Sequence, residues 1–392
     1  MKRSTRFFLI LIILSAFLFH QWSLKVYEIK GYTGKSVITA FNSYSMVPKV
    51  DKWRQGKIST KRVDSFQTDK IKPEGLDFLV VSSNFALQAF NKNNPQGNYK
   101  KELVAYSPLV IFCDKSIVKA LENNQFILMQ NGLRVMNVGK LFQCINDGKS
   151  WADIGVTNYY GKITISCEEP TKSDDGILTA VLAAGLLNGG NQVDKAQMSK
   201  FIPNMRYLFS RFNIISTVED SVTEQFNTRT KNETVQDDIN TGLEQVMPGI
   251  KKLFNISKDD KIIFNSALEQ TYSEALQKTP MIIGLESNIL TYADTIHEKD
   301  SSTDERYEII YISPTVWATH TIIAFTPNGE KVINAIKDED IKNLLWEKLN
   351  LRTEPIQSGY YHDFKTSETV PNSMIVPSAE AVDILIKGLK SN

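Results

Sequence analysis

The stretch from Trp151 to Gly190 limits the possible folds of this chain more than any other. Ser150-Trp-Ala-Asp-Ile-Gly155 leads through a loop into Gly161–Ser166, a strand-like Gly-Lys-Ile-Thr-Ile-Ser. Glu168 to Gly176 then reads Glu-Glu-Pro-Thr-Lys-Ser-Asp-Asp-Gly, and an apolar run from Ile177 to Leu187 follows, closed by Asn188-Gly189-Gly190. A strand that runs into a small polar loop and opens a helix leaves the first helical N–H groups pointing into that loop. The helix dipole adds positive potential at the same place. Such a junction grips small ligands, and it demands an α/β framework to hold it.

Catalytic signatures are missing. The histidines, His20, His297, His320 and His362, stand apart with no His-x-x-x-His spacing, so no zinc site is expected. There is no Gly-x-Ser-x-Gly elbow, no Gly-Lys-Ser/Thr phosphate loop and no Gly-x-Gly-x-x-Gly. Cys113, Cys144 and Cys167 make an odd and sparse set, which does not build a disulfide framework. They read either as buried thiols or as one disulfide, for instance Cys144 with Cys167. No enzymatic activity, metal or cofactor is expected.

At 392 residues the chain is long for one domain and suits two lobes. Apolar content of 42% and charged content of 23% are those of a globular protein. A net charge of +1 gives no bulk field for nucleic acid. The first residues differ: Lys2, Arg3 and Arg6 precede an apolar run from Phe7 to Phe19. That run is shorter than the ~20 residues of a spanning helix and matches an export signal. No small-x-small cleavage pattern follows Phe19, so residues 1–30 read as a signal peptide or as an uncleaved signal-anchor, with Trp22 and Tyr27 near the membrane interface.

Beyond it, strand-like runs alternate with helical ones. Ser36–Phe41 runs into the turn Asn42-Ser43-Tyr44-Ser45, and Leu76–Val81 runs into Ser82-Ser83-Asn84, with a helix from Asn84 to Phe90. Val104–Cys113 is β-rich but interrupted at Tyr106-Ser107-Pro108, and Ser116–Asn123 is helical. Pro280–Asn288 reads as a strand entering a polar turn, residues 294–306 as a charged loop, and Tyr307–Phe325 as two strands around Ser313-Pro314-Thr315. Asn334–Asn350 carries Ile336, Ile341, Leu344, Leu345 and Leu349 at helical spacing, and Ala379–Leu389 is a final helix. Residues 201–262 read as a largely helical and irregular insertion.

Leu76–Ser83, Val104–Cys113, Trp151–Gly176 and Tyr311–Thr326 together resemble a type II periplasmic binding protein, the extracellular solute-binding component of ABC importers. The return segment Ser313-Pro314-Thr315 with His320-Thr-Ile-Ile-Ala is similar to the molybdate-binding-like branch. The resemblance implies an α/β clamshell of two lobes. Lobe one would hold residues 35–106 and 312–392, lobe two residues 107–305. A small polar solute would be clamped between them and passed to an ABC permease or another membrane partner. The location would be the outer face of the membrane if anchored, or periplasmic or secreted if cleaved. A second reading is a membrane-anchored sensor or interaction module that kept the fold without transport.

The resemblance places several polar residues at the cleft. Ser43 and Ser45 follow the first strand, Ser82 and Ser83 the second, and Tyr106 and Ser107 lie where the chain crosses between lobes. Ser173, Asp174 and Gly176 open the helix of lobe two, and Glu286 follows a buried strand. Each has a plainer alternative: turn residues, helix caps, a core tyrosine or a surface carboxylate. Molybdate-type sites hold an oxyanion with neutral donors. Asp174 and Asp175 instead suit a ligand that offers hydroxyl or amine donors.

Overall fold

Lys100–Asp114 (β4) is one unbroken strand of 15 residues that belongs to two sheets in turn. The computed structural model of the chain describes residues 27–34, 56–63, 65–95, 97–130, 132–215, 268–354 and 372–390, together with Ser15, Phe364, Val370 and residues 366–368. Residues 1–26 apart from Ser15, the Ser36–Phe41 run with Ser43 and Ser45, and residues 216–262 of the insertion lie outside the described residues.

In the first sheet β1 (Tyr27–Thr33) lies parallel to β2 (Gly56–Arg62) and to β3 (Phe78–Val81). β11 (Trp317–Ala324) runs antiparallel to β3 and to the first part of β4, Lys100–Pro108. In the second sheet the remainder of β4 pairs with β9 (Met281–Leu285) on one side and β10 (Tyr307–Ile312) on the other. Beyond β10 come β6 (Leu133–Met136) and β5 (Ile127–Gln130); beyond β9 come β7 (Ser166–Glu168) and β8 (Asn213–Ile215). The chain returns to the first sheet through residues 313–316, which lie beside β4: Leu109 N–H donates to Val316 O at 3.0 Å and the Thr315 hydroxyl to Leu109 O at 3.0 Å. Two lobes joined by two adjacent crossings result.

Helices flank both sheets. α1 (Asn84–Asn93) follows β3, α2 (Lys115–Asn123) follows β4, and α3 (Val138–Asn146) follows β6. α4 (Asp174–Leu187) and α5 (Lys195–Phe209) fill the connection from β7 to β8. α6 spans residues 268–278, followed by α7 (Glu286–His297), the short α8 (Thr303–Arg306), α9 (Pro327–Ile336), α10 (Glu339–Leu349) and α11 (Ala379–Lys390). Residues 175–185 of α4 are all buried, the pattern of a helix packed on every side. Each large side chain buried this way contributes about 2 kcal/mol. Ile177, Leu178 and Leu182 share one core with Leu79 and Val81 of β3 and with Leu385 of α11.

Several elements depart from the sequence expectations for definable reasons. Residues 27–30, expected at the end of the signal segment, belong to β1, where Lys30 N–H reaches Asp77 Oδ2 at 2.8 Å. The Tyr106-Ser107-Pro108 interruption is absent, because β4 changes partners at Pro108 and Leu109 instead of breaking. Only Ser166 of the Gly161–Ser166 run enters β7, since the parallel pairing with β9 begins there, opposite Ile282. No polar turn follows β9. α7 starts at Glu286 without a cap from its own sequence, and Ser107 Oγ accepts the Ser287 N–H at 3.0 Å from the neighbouring strand. The charged stretch 294–306 is partly helical, with Ile296 packed inward. Asn334–Asn350 is two helices, the second capped by Asp338, whose carboxylate accepts from Asp340 N–H. The three cysteines are free thiols; Cys113 and Cys167 are buried and Cys144 partly so.

Candidate functional site

The junction picked out in the sequence is built as expected at its helix. Ser173 stands before α4 in extended geometry, and its Oγ accepts the Gly176 N–H at 3.0 Å. Gly176 is there for space: a Cβ would lie 2.5 Å from Glu168 O and 2.6 Å from Glu169 O. The two aspartates part company. Asp175 is buried and fully engaged, accepting from Leu285 N–H at 2.9 Å, Asn288 Nδ2 at 2.8 Å and the Tyr272 hydroxyl at 3.3 Å. Burial, reinforced by that carboxylate, pushes the Tyr272 hydroxyl well above its ordinary pKa, so it stays a donor. Asp175 thus ties the start of α4 to the β9–α7 corner. Asp174 is only partly buried and faces the other lobe.

Opposite it stand the carboxyl ends of β1 and β3, where open α/β sheets place ligands. Ser83 caps α1, its Oγ accepting from Ala86 N–H at 3.2 Å. Ser82 is 2% exposed; its carbonyl accepts from Thr319 N–H at 3.2 Å, and its Oγ has no hydrogen-bond partner among the described residues. Gly34, just past β1, completes the contact. A Cβ at Gly34 would lie 2.1 Å from Ser82 Oγ and 3.9 Å from Asp174 Oδ2. Two strand ends of one lobe and the helix start of the other therefore converge on one glycine.

Tyr106, Ser107 and Glu286 form a separate group at the crossing. Tyr106 pairs backbone to backbone with Arg352 and meets Trp317 edge-on, centroids 6.1 Å apart. The Ser107 hydroxyl donates to Ser287 Oγ at 3.1 Å while accepting from Ser287 N–H. Glu286 is 0% exposed, as is Arg352; Arg352 Nε reaches Glu286 Oε2 at 2.5 Å and its Nη2 reaches Oε1 at 2.7 Å. The Tyr311 hydroxyl also donates to Glu286 Oε1, and burial with that carboxylate raises its pKa well above normal. Arg352 Nη2 donates further to Ser367 O at 2.7 Å. The oxygens of Glu286 are thus occupied by protein groups.

Of the candidates, Ser82 and Asp174 meet at Gly34, Ser173 and Gly176 build the helix start that carries Asp174, and Ser83 caps α1. Ser107 and Glu286 serve the crossing, and Ser43 and Ser45 lie outside the described residues. Gly34 and Arg352 were not singled out by sequence, and Asp175, read with Asp174 as suiting a ligand's donors, is instead occupied by Leu285, Asn288 and Tyr272. The Thr33-Gly34 pair was the available signal for Gly34, a strand end followed by the smallest residue; nothing marked Arg352. The thiols of Cys113 and Cys167 are pushed up by burial, which suits packing and not attack. Among the described residues no group of three or more His, Cys, Asp or Glu could hold a metal ion.

No family model and no curated protein matches the sequence. Solved structures do match in fold. A periplasmic thiamin binding protein superposes with a TM-score of 0.52 at 10% identity, covering 93% of this chain and 95% of that one. Iron-bound HitA from Pseudomonas aeruginosa gives 0.51 at 10% identity over 93% of this chain and 99% of that one. The ferric binding protein from Campylobacter jejuni gives 0.50 at 9% identity over 92% and 97%. The fold is that of the periplasmic binding proteins. At these identities the likeness establishes the architecture alone.

Proposed function

We propose that this chain is an exported solute-binding protein that captures a small polar ligand between its lobes and delivers it to an ABC-type importer. One observation carries the reading: Asp174 of the second lobe faces Gly34 and Ser82 of the first, so a ligand held there touches both lobes at once. In this reading lobe one holds β1 and residues 35–106 with 312–392, lobe two holds residues 107–305, and the residues before β1 direct export as a signal or an anchor. It binds without catalysing a reaction.

Asp174 selects the ligand class. A carboxylate repels an oxyanion and attracts a group with N–H or O–H donors, an amine above all. The neighbours named for thiamin and iron are in keeping with a cationic cargo. The return segment Ser313-Pro314-Thr315 keeps a sequence likeness to the molybdate-binding-like branch, while the ligand differs from molybdate.

A ligand bound only by the folded state raises the melting temperature by mass action, about 2.7 kcal/mol of stabilisation at a hundredfold excess over Kd. A thermal-shift screen of amines, amino acids, sugars, peptides and oxyanions should give shifts with amine-bearing compounds. Asp174→Asn should reduce them at least tenfold in apparent affinity. Shifts from oxyanions alone would refute the ligand class. A screen without any shift would favour the anchored sensor or interaction module.

A further inference from the structure

The two crossings are not the only links between the lobes. Segment 372–390 begins at the return crossing, where Thr315 N–H donates to Asn372 O at 2.9 Å and Met374 N–H to Thr315 O at 2.7 Å. Met374 then lies flat on α4 of the second lobe: a Cβ at Gly185 would sit 1.9 Å from Met374 Cε. α11 follows and touches both lobes. Toward the first, Ala379 N–H donates to Gln88 Oε1 at 3.1 Å and Lys92 Nζ approaches Glu380 Oε1 at 3.2 Å, both partners on α1. Toward the second, Arg206 Nε of α5 donates to Gly388 O at 2.7 Å, and a Cβ at Gly388 would lie 2.4 Å from Ile202 Cδ1. Ala381, Val382 and Leu385 are buried beneath, in the core that also holds Phe85 of α1 and Met198 and Met205 of α5.

We infer that segment 372–390 is a strap that sets the angle between the lobes and must yield before the cleft opens. Sheet membership defines the lobes it joins: α1 follows β3 of the first sheet, α4 and α5 precede β8 of the second. A rotation about the crossings that parts α1 from α5 requires α11 to leave one of them. Parting from α1 is the easier route, because at the N-terminal end of α11 an exposed pair such as Lys92–Glu380 holds weakly. The inference stands on interlobe packing and does not depend on the nature of the ligand.

The test is the interlobe distance in the full chain without ligand. Spin labels at Glu74 of lobe one and Tyr160 of lobe two, in a Cys144→Ser background, report it by double electron–electron resonance. Lys92→Glu with Gln88→Ala cuts the strap from the first lobe; Gly388→Leu wedges it off Ile202 on the second. Each should add a longer-distance population, and Lys92→Glu with Glu380→Lys should restore the parent distribution. A distribution from either folded loosening variant that superimposes on the parent's would overturn the strap.

Discussion

Two buried groups dominate at the scale of single residues. His320 is 0% exposed, and neither ring nitrogen has a hydrogen-bond partner among the described residues. Burial holds its pKa down at about 4, against 6.5 for the free side chain. The folded form binds the proton less readily than the unfolded one, so stability is full above pH 6.5 and falls as the pH drops toward 4. The loss approaches about 3 kcal/mol. Urea midpoints between pH 7 and 4 should show this slope, and His320→Gln should flatten it relative to the parent. The Glu286–Arg352 pair behaves differently. Arg352→Met leaves a carboxylate buried without its cation and should cost about 3–5 kcal/mol in urea unfolding, with Glu286→Gln added recovering part of it. A double variant no more stable than Arg352→Met would show that lost packing of the long side chain, and not the stranded charge, sets the cost.

Elements obey local rules wherever the signal is local. Ser83 and Ser173 cap the helices that their positions announce, and the runs at 177–187 and 379–389 form the helices that they predict. The failures share another cause. α7 has no cap of its own because Ser107, far away in sequence, supplies one, and no reading of residues 280–288 alone can find it. β4 passes straight through Tyr106-Ser107-Pro108 because its partners change there, a tertiary fact. Glu286 looked like a turn carboxylate since its partner Arg352 lies 66 positions along the chain. At the opening of α4, Gly176→Ala should cost about 1–3 kcal/mol by driving a methyl group into the Glu168 carbonyl. Ser173→Ala should cost about 1 kcal/mol through the lost cap. Thermal melts of the two rank them, and equal costs would mean that the Glu168–Gly176 contact relaxes freely.

Over the whole molecule, the sequence marked the end of β3 and the start of α4, which the structure brings together at Gly34, but it could not assign the two aspartates there. Both are acidic, adjacent and at a helix start, and only the fold shows one swallowed by Leu285, Asn288 and Tyr272 while the other faces Gly34. That division predicts separable phenotypes. Asp175→Asn should lower the ligand-free melting temperature by more than Asp174→Asn does, and equal losses in the two variants would make Asp174 as structural as Asp175.

The crossings at β4 and at 313–316 lie side by side and are bonded through Leu109, Thr315 and Val316. A door on two separate hinges can warp, but a door hung on one narrow strip can only swing. Crossings fused into such a strip define one axis for any turning of the lobes, and the helix at 379–390, bonded to both lobes, restrains the swing. For the proposed solute-binding role, the response to an occupant then reduces to a single angle, and ligands of different size would be told apart by how far the door stops from shut.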